Sequence, residues 1–157
     1  MRFVPFVLLV LASVVVVVTV LRGHSGSSHA VVVRANWGRT PGVVNPDVTQ
    51  STIRTTICTR GWTRTVRPPT SYTNALKVRQ LREYGLRGPP SAFQEDHLIS
   101  LELGGNPIDP RNLWPEPYAR AARVDQIENA LNRQVCSGEL TLAAAQRKES
   151  ALKHADG

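Results

Sequence analysis

Glu95-Asp96-His97-Leu98-Ile99-Ser100-Leu101-Glu102-Leu103-Gly104-Gly105, followed by Asn112-Leu113-Trp114, is the stretch on which the fold turns. An acid stands beside a histidine at the head of an apolar-rich run, so residues 93–103 read as a strand-like segment. Gly104-Gly105-Asn106-Pro107 is a strong turn signal. Asn112-Leu113-Trp114 is a second short extended piece, stopped by Pro115 and Pro117. A helix is expected over residues 118–135, where Val124, Ile127, Leu131 and Val135 recur at helical spacing and Ser137-Gly138 ends it. Two short strands and a helix thus surround one histidine.

Upstream, Asp47 can cap a short helix running through Ile53 and Ile57 towards Cys58. Gly61-Trp62 breaks that pattern, and Arg67-Pro68-Pro69 is extended, because a residue before proline disfavours helix. Thr70 or Ser71 begins a second helix with Ala75, Leu76 and Leu81 inward and Gly85 closing it. A last helix is expected over residues 140–152. Helix, helix, strand, strand, helix, helix is the order of a small, mostly helical α+β domain. Trp62 and Trp114 read as core or lid residues rather than as base-stacking platforms. His24 and His29 fall in the leader and His154 in the tail, which leaves His97 as the histidine with chemistry around it.

The order of acid, histidine, Gly-Gly turn and Asn-Leu resembles the core of the HNH (ββα-metal) endonuclease superfamily. It is closest to small exported proteins with the pattern Asp-His-Leu-Ile-x-Leu-Glu-Leu-Gly-Gly, then Asn-Leu-Trp-Pro-Glu. Trp62-Thr63, Arg67-Pro68-Pro69 and Val135-Cys136-Ser137-Gly138 extend the likeness over most of the domain. The resemblance implies phosphodiester hydrolysis, in which a neutral histidine takes a proton from water and one divalent ion stabilises the transition state. His97 matches the base and Asp96 the first metal ligand, a hard oxygen suited to magnesium or manganese. Asn112 matches the asparagine that ties the second strand to the first and fixes the histidine. The helix of the motif should add a ligand. Asp125 is the first choice and Glu128, on the same helical face, the second.

Two departures stand out. Many HNH proteins place a proline three positions after the histidine, where this chain has Ser100. The helix offers acids, Asn129 and Asn132, but no histidine. In an ideal strand, moreover, Asp96 and His97 point to opposite faces. Either a bulge brings them together, or Glu95, on the face of His97, is the ligand.

The chain's 157 residues leave room for one ordinary domain. Residues 3–21 are almost wholly apolar, behind Arg2 and ahead of a small-residue stretch ending in Ser28-His29-Ala30. That is the layout of a signal peptide, and the run is also long enough for a retained membrane anchor. The expected organisation is a signal or anchor over residues 1–30, a flexible lead-in over 31–45, and the HNH-like domain over 46–157. The domain would lie outside the cytoplasm, secreted or anchored to the outer side of the membrane.

Without Arg2 and Arg22 the formal charge falls from +7 to +5. The excess gathers between Arg54 and Arg87, with Arg60, Arg64, Arg67 and Arg79 the expected phosphate contacts and Lys77 in the same run. DNA is the expected partner, bound without base preference. Cys58 and Cys136 lack the paired spacing of a zinc site, and two cysteines in an exported chain predict a disulfide. The rival readings are a catalytically inactive, disulfide-bonded module that binds an anionic polymer, and an anchored envelope protein with no nucleic-acid role.

Overall fold

The computed structural model describes residues 32–157. The apolar run at residues 3–21, expected to be a signal or anchor, lies outside them. No helix among the described residues is long and apolar enough to cross a membrane.

Four α-helices and one two-stranded antiparallel sheet make up the α+β domain: α1 (Trp62–Val66), α2 (Thr70–Glu83), β1 (Phe93–His97), β2 (Leu113–Pro117), α3 (Tyr118–Ser137) and α4 (Leu142–Ala155). The pairing runs from Phe93 opposite Pro117 to His97 opposite Leu113, in unbroken register. β1 is shorter than the strand expected over 93–103. After Leu98 the backbone turns away, and the Ile99 N–H and carbonyl bond to the side chain of Asn112 instead of to a ladder. A 3-10 turn at Leu101–Leu103 follows. β2 runs through both prolines that were expected to stop it. A two-stranded ribbon leaves half of each strand's N–H groups outside the ladder, where a missing donor costs little.

The Gly-Gly turn is dictated by close approach. Gly104 adopts φ +73°, a conformation natural only to glycine. A Cβ on Gly105 would stand 1.7 Å from the Ile99 carbonyl oxygen and 2.7 Å from Asn112 Nδ2.

Several local expectations are corrected. Asp47 caps no helix, and the segment towards Cys58 contains only a 3-10 turn at Ile53–Thr55. Its threonines satisfy the nearby backbone themselves: Thr52 Oγ1 donates to the Asp47 carbonyl and Thr56 Oγ1 to the Thr52 carbonyl, which competes with helix formation. Trp62 starts a helix rather than breaking one. On α2, Leu76 and Leu81 are buried as expected but Ala75 is exposed, and Lys77 and Gln80 turn inward instead. Lys77 Nζ donates to the Phe93 carbonyl at 2.9 Å and Gln80 Nε2 to the Pro110 carbonyl at 3.1 Å. Lys77 therefore contributes to packing and not to a basic face.

Within the stretch expected as a lead-in, the described residues from 32 onward pack against the domain. Val33 and Ala35 are buried with Leu81, Phe93, Leu98 and Trp114, and the Ala35 N–H donates to the Lys153 carbonyl at 3.1 Å. This stretch covers an apolar surface that would otherwise face water. The other core joins Ile53, Ile57, Ile99 and Leu103 to Leu131 and Val135 of α3 and to Leu142 and Ala145 of α4. Thr141 caps α4 by accepting from the Ala144 N–H at 3.2 Å.

Cys58 and Cys136 form the expected disulfide across 78 positions, pinning the segment before α1 to the end of α3. Opening so long a loop is expected to lower stability by ~4 kcal/mol in the chain-entropy treatment. Urea denaturation of the Cys58→Ala/Cys136→Ala chain against the oxidised protein measures this, and an unchanged midpoint would contradict it.

Candidate functional site

A cleft of about 400 Å³ is bordered by Glu95, Asp96 and His97 of β1, by Glu102 of the turn, and by Asp125 and Glu128 of α3. Arg67 stands at its rim. β1 carries no bulge, yet the consecutive residues Glu95, Asp96 and His97 all border the cleft. Glu95, Asp96, His97, Asp125 and Glu128, all expected site residues, share this one cavity.

His97 is buried, and its Nε2 lies 3.1 Å from the Pro107 carbonyl oxygen. A carbonyl only accepts, so Nε2 carries the proton and Nδ1 keeps a lone pair. Nδ1 has no hydrogen-bond partner among the described residues. Burial pushes the ring below its ordinary pKa, against the opposing pull of Asp96, so the imidazole is neutral at pH 7. Asn112 fixes this arrangement from behind. Its Oδ1 accepts from Ile99 N at 3.0 Å and Val43 N at 3.3 Å, and its Nδ2 donates to the Ile99 and Asn106 carbonyls, each at 3.0 Å. The turn carrying Pro107 is thereby held against β1.

The acids divide into paired and unpaired groups. Asp96 Oδ2 accepts from Lys153 Nζ at 2.9 Å, and Glu128 Oε1 accepts from the same ammonium at 2.6 Å. Lys153 is 3% exposed and also donates to the His97 carbonyl at 2.6 Å. Burial pulls its pKa down, but Asp96, Glu128 and Glu149 outweigh burial and hold it well above the usual lysine range. Glu149, fully enclosed, accepts from the Ser100 N–H through both oxygens, at 3.0 and 3.1 Å. Glu95, by contrast, has two buried oxygens without a partner. Burial pushes it up to about 8, with Lys77 opposing and Asp96 adding to the rise. Burial, reinforced by Asp125, also raises Glu102. Glu116, on β2 opposite Gln94, is raised to about 7 by burial and then by Asp96.

The four arginines expected to contact phosphate differ in their surroundings. Arg67 reaches the cleft. Arg60 borders an adjoining groove of about 370 Å³ with Trp62 and Arg133, and Glu102 lines both cavities. Arg64 is exposed on α1, while Arg79 pairs with Glu83 at 3.5 Å and borders neither cavity. Trp114 is buried core and Trp62 packs against the core. His154, expected in a loose tail, is instead buried on α4. It stacks on Trp37 with ring centroids 3.5 Å apart and reaches the Thr40 carbonyl through Nε2.

Lys153, Glu149, Glu116 and Arg133 were not expected at the site. Glu149 and Lys153 continue the inward spacing of Leu142 and Ala145 along α4, which was the available signal. Among the described residues no group of three or more His, Cys, Asp or Glu converges to hold a metal ion. A magnesium-like ion, however, needs only one or two carboxylates and keeps its waters. The unpartnered, buried oxygens of Glu95 beside Asp96 fit that requirement; Glu128, whose Oε1 is taken by Lys153, fits less well. No protein-family model, curated protein or solved structure matches this chain.

Glu95 gives a pH prediction. The folded chain retains a proton up to about pH 8 that an unfolded glutamate releases near 4.5, so this residue lowers stability as pH rises through that window. Glu95→Gln should match the wild type near pH 4 and exceed it at pH 8, by no more than ~5 kcal/mol. Urea denaturation in the presence of a chelator measures the difference, and a gap independent of pH would refute the assignment.

Proposed function

We propose that this chain is an exported endonuclease of the HNH type, dependent on one divalent metal ion, that hydrolyses phosphodiester bonds in DNA without base preference. The observation that carries the proposal is His97: a buried, neutral imidazole with Nε2 fixed by a carbonyl and Nδ1 unpaired, in a cleft it shares with acids from β1 and α3. The disulfide and the apolar run at residues 3–21 support export.

In this mechanism His97 Nδ1 takes a proton from water as the water oxygen bonds to phosphorus and the bond to the departing 3′ oxygen breaks. Asn112 keeps the ring in place by holding the turn that carries Pro107. Asp96, through Oδ1, and Glu95 would hold magnesium or manganese, with Asp125 the acid contributed by α3. When bound, the ion supplies charge stabilisation at the phosphate and the leaving oxygen. Arg67, and Arg60 in the adjoining groove, would contact backbone phosphates on either side.

One observation favours the inactive, polymer-binding module instead: Lys153 already occupies one oxygen of Asp96 and one of Glu128. Plasmid DNA incubated with the purified protein, with and without EDTA, separates the two readings. Metal-dependent nicking supports the nuclease, and DNA retention without nicking across several divalent ions supports the module.

His97→Ala is expected to lower the initial nicking rate by ~10²- to 10⁴-fold, with Mn²⁺ affinity and DNA affinity close to wild type. Asp96→Ala should instead raise the metal concentration needed for half-maximal nicking. Wild-type cleavage by a folded His97→Ala protein would end the mechanism.

The arginine assignment makes a separate prediction for binding. DNA affinity should fall steeply with salt, and Arg60→Ala/Arg67→Ala should flatten the slope of log affinity against log salt by ~2. Arg79→Ala, removing a residue paired with Glu83, should change it far less. Equal slopes for all three proteins in filter binding would place the DNA contacts elsewhere.

A further inference from the structure

Four oxygens surround the ammonium of Lys153: the His97 carbonyl and Glu128 Oε1 at 2.6 Å, Asp96 Oδ2 at 2.9 Å and Glu149 Oε1 at 3.4 Å. Three carboxylates and one backbone carbonyl are the donor types that hard divalent cations select. An ammonium has three N–H donors, and three of these four oxygens lie within hydrogen-bond range. The oxygens are placed by separate elements, β1, α3 and α4. Glu149 is also fixed independently of the lysine, since both its oxygens accept from the Ser100 N–H.

Asp96 is shared. Its Oδ2 is directed to Lys153, and its Oδ1 makes no hydrogen bond among the described residues. In sites that hold two metal ions a carboxylate commonly bridges them a few ångströms apart. Here one side of Asp96 already has a cation, supplied by the chain itself.

We propose that Lys153 is a resident cation, whose ammonium fills an oxygen-lined position formed by Asp96, Glu128, Glu149 and the His97 carbonyl, and so restricts the cleft to one divalent ion on the Oδ1 side of Asp96. Removing the ammonium leaves three carboxylates gathered with no counter-charge, an arrangement that a divalent ion relieves. Lys153 is on this account a positioning residue: it orients Asp96 and Glu128 and excludes a second metal. The inference rests on the one-metal nuclease proposal for its meaning in catalysis, but its test does not depend on cleavage.

The test counts Mn²⁺ bound per full chain, from loss of the electron paramagnetic resonance signal of the free ion, in wild type, Lys153→Arg and Lys153→Ala. Lys153→Ala is expected to bind one more Mn²⁺ than wild type, Lys153→Arg no more, and Lys153→Ala/Glu149→Gln to bind the added ion at least tenfold more weakly. Equal counts for wild type and Lys153→Ala would overturn the proposal. A wild type that binds none beside a Lys153→Ala protein that binds one would uphold the resident cation and remove the one-metal reading. One ion in each would do the reverse. Should Lys153→Ala unfold in chelator, Mn²⁺ is added and helix content followed by circular dichroism. Recovery of the wild-type spectrum supports the proposal, and no recovery at millimolar Mn²⁺ overturns it.

Discussion

The side chain of Asn112, fully buried, is the constraint from which the rest of the molecule follows. Its carboxamide bonds to four backbone groups, on Val43, Ile99 and Asn106. The two Ile99 groups would otherwise be a donor and an acceptor shut away from water, at a cost of ~1–3 kcal/mol apiece. The short β1, the 3-10 turn after it and the glycine at position 105 are consequences of the same contact. A side chain in place of a ladder partner lets the backbone leave the sheet after Leu98, and only a residue without Cβ lets Ile99 and Asn112 approach each other. His97 is the last residue of β1, so the same clamp brings the Pro107 carbonyl to its ring.

Electrostatics then governs what the cleft can do. Five acids border it, against Arg67 at the rim and Lys153 behind Asp96. A phosphate entering an ionised version of this cavity would be repelled. Burial reduces the repulsion by raising Glu95 and Glu102, and Lys153 neutralises part of the remainder. The acids are gathered in this cavity, whereas the basic residues expected to bind phosphate are spread among the cleft, the adjoining groove and the outer surface.

The parts legible in the sequence were local. Asp96, His97, Asn112 and the Gly-Gly turn lie within one short stretch, and the periodicity of Val124, Leu131 and Val135 placed α3 with Asp125 and Glu128 facing the same way. The parts that were not legible depend on distant segments. Glu149 and Lys153 follow the inward spacing of α4, but a charged pair four apart on a helix usually lies on a solvated face. Glu116 was hidden by the expectation that Pro115 ends its strand. The burial of Val33 and Ala35 comes from two apolar positions in alternation, too short a pattern to separate from a linker.

Ser100, Glu149, Lys153 and Glu128 meet at one place. The resemblance puts a proline where this chain has Ser100, and a proline has no N–H to donate. Ser100 does have one, and both oxygens of Glu149 accept from it; Glu149 in turn lies 3.4 Å from Lys153. The same ammonium holds Glu128 of α3. Lys153 is itself kept in register by the N-terminal segment, through the Ala35 N–H on its carbonyl, and by the packing of neighbouring His154 on Trp37. Ser100, Glu128, Glu149 and Lys153 therefore form one linked network, in which an internal ammonium joins α4 to β1 and α3. Removing the side chain of Lys153 or Glu149 alone, or the Ser100 N–H by proline, leaves a buried charge or N–H without its partner, the situation in which single changes cost most.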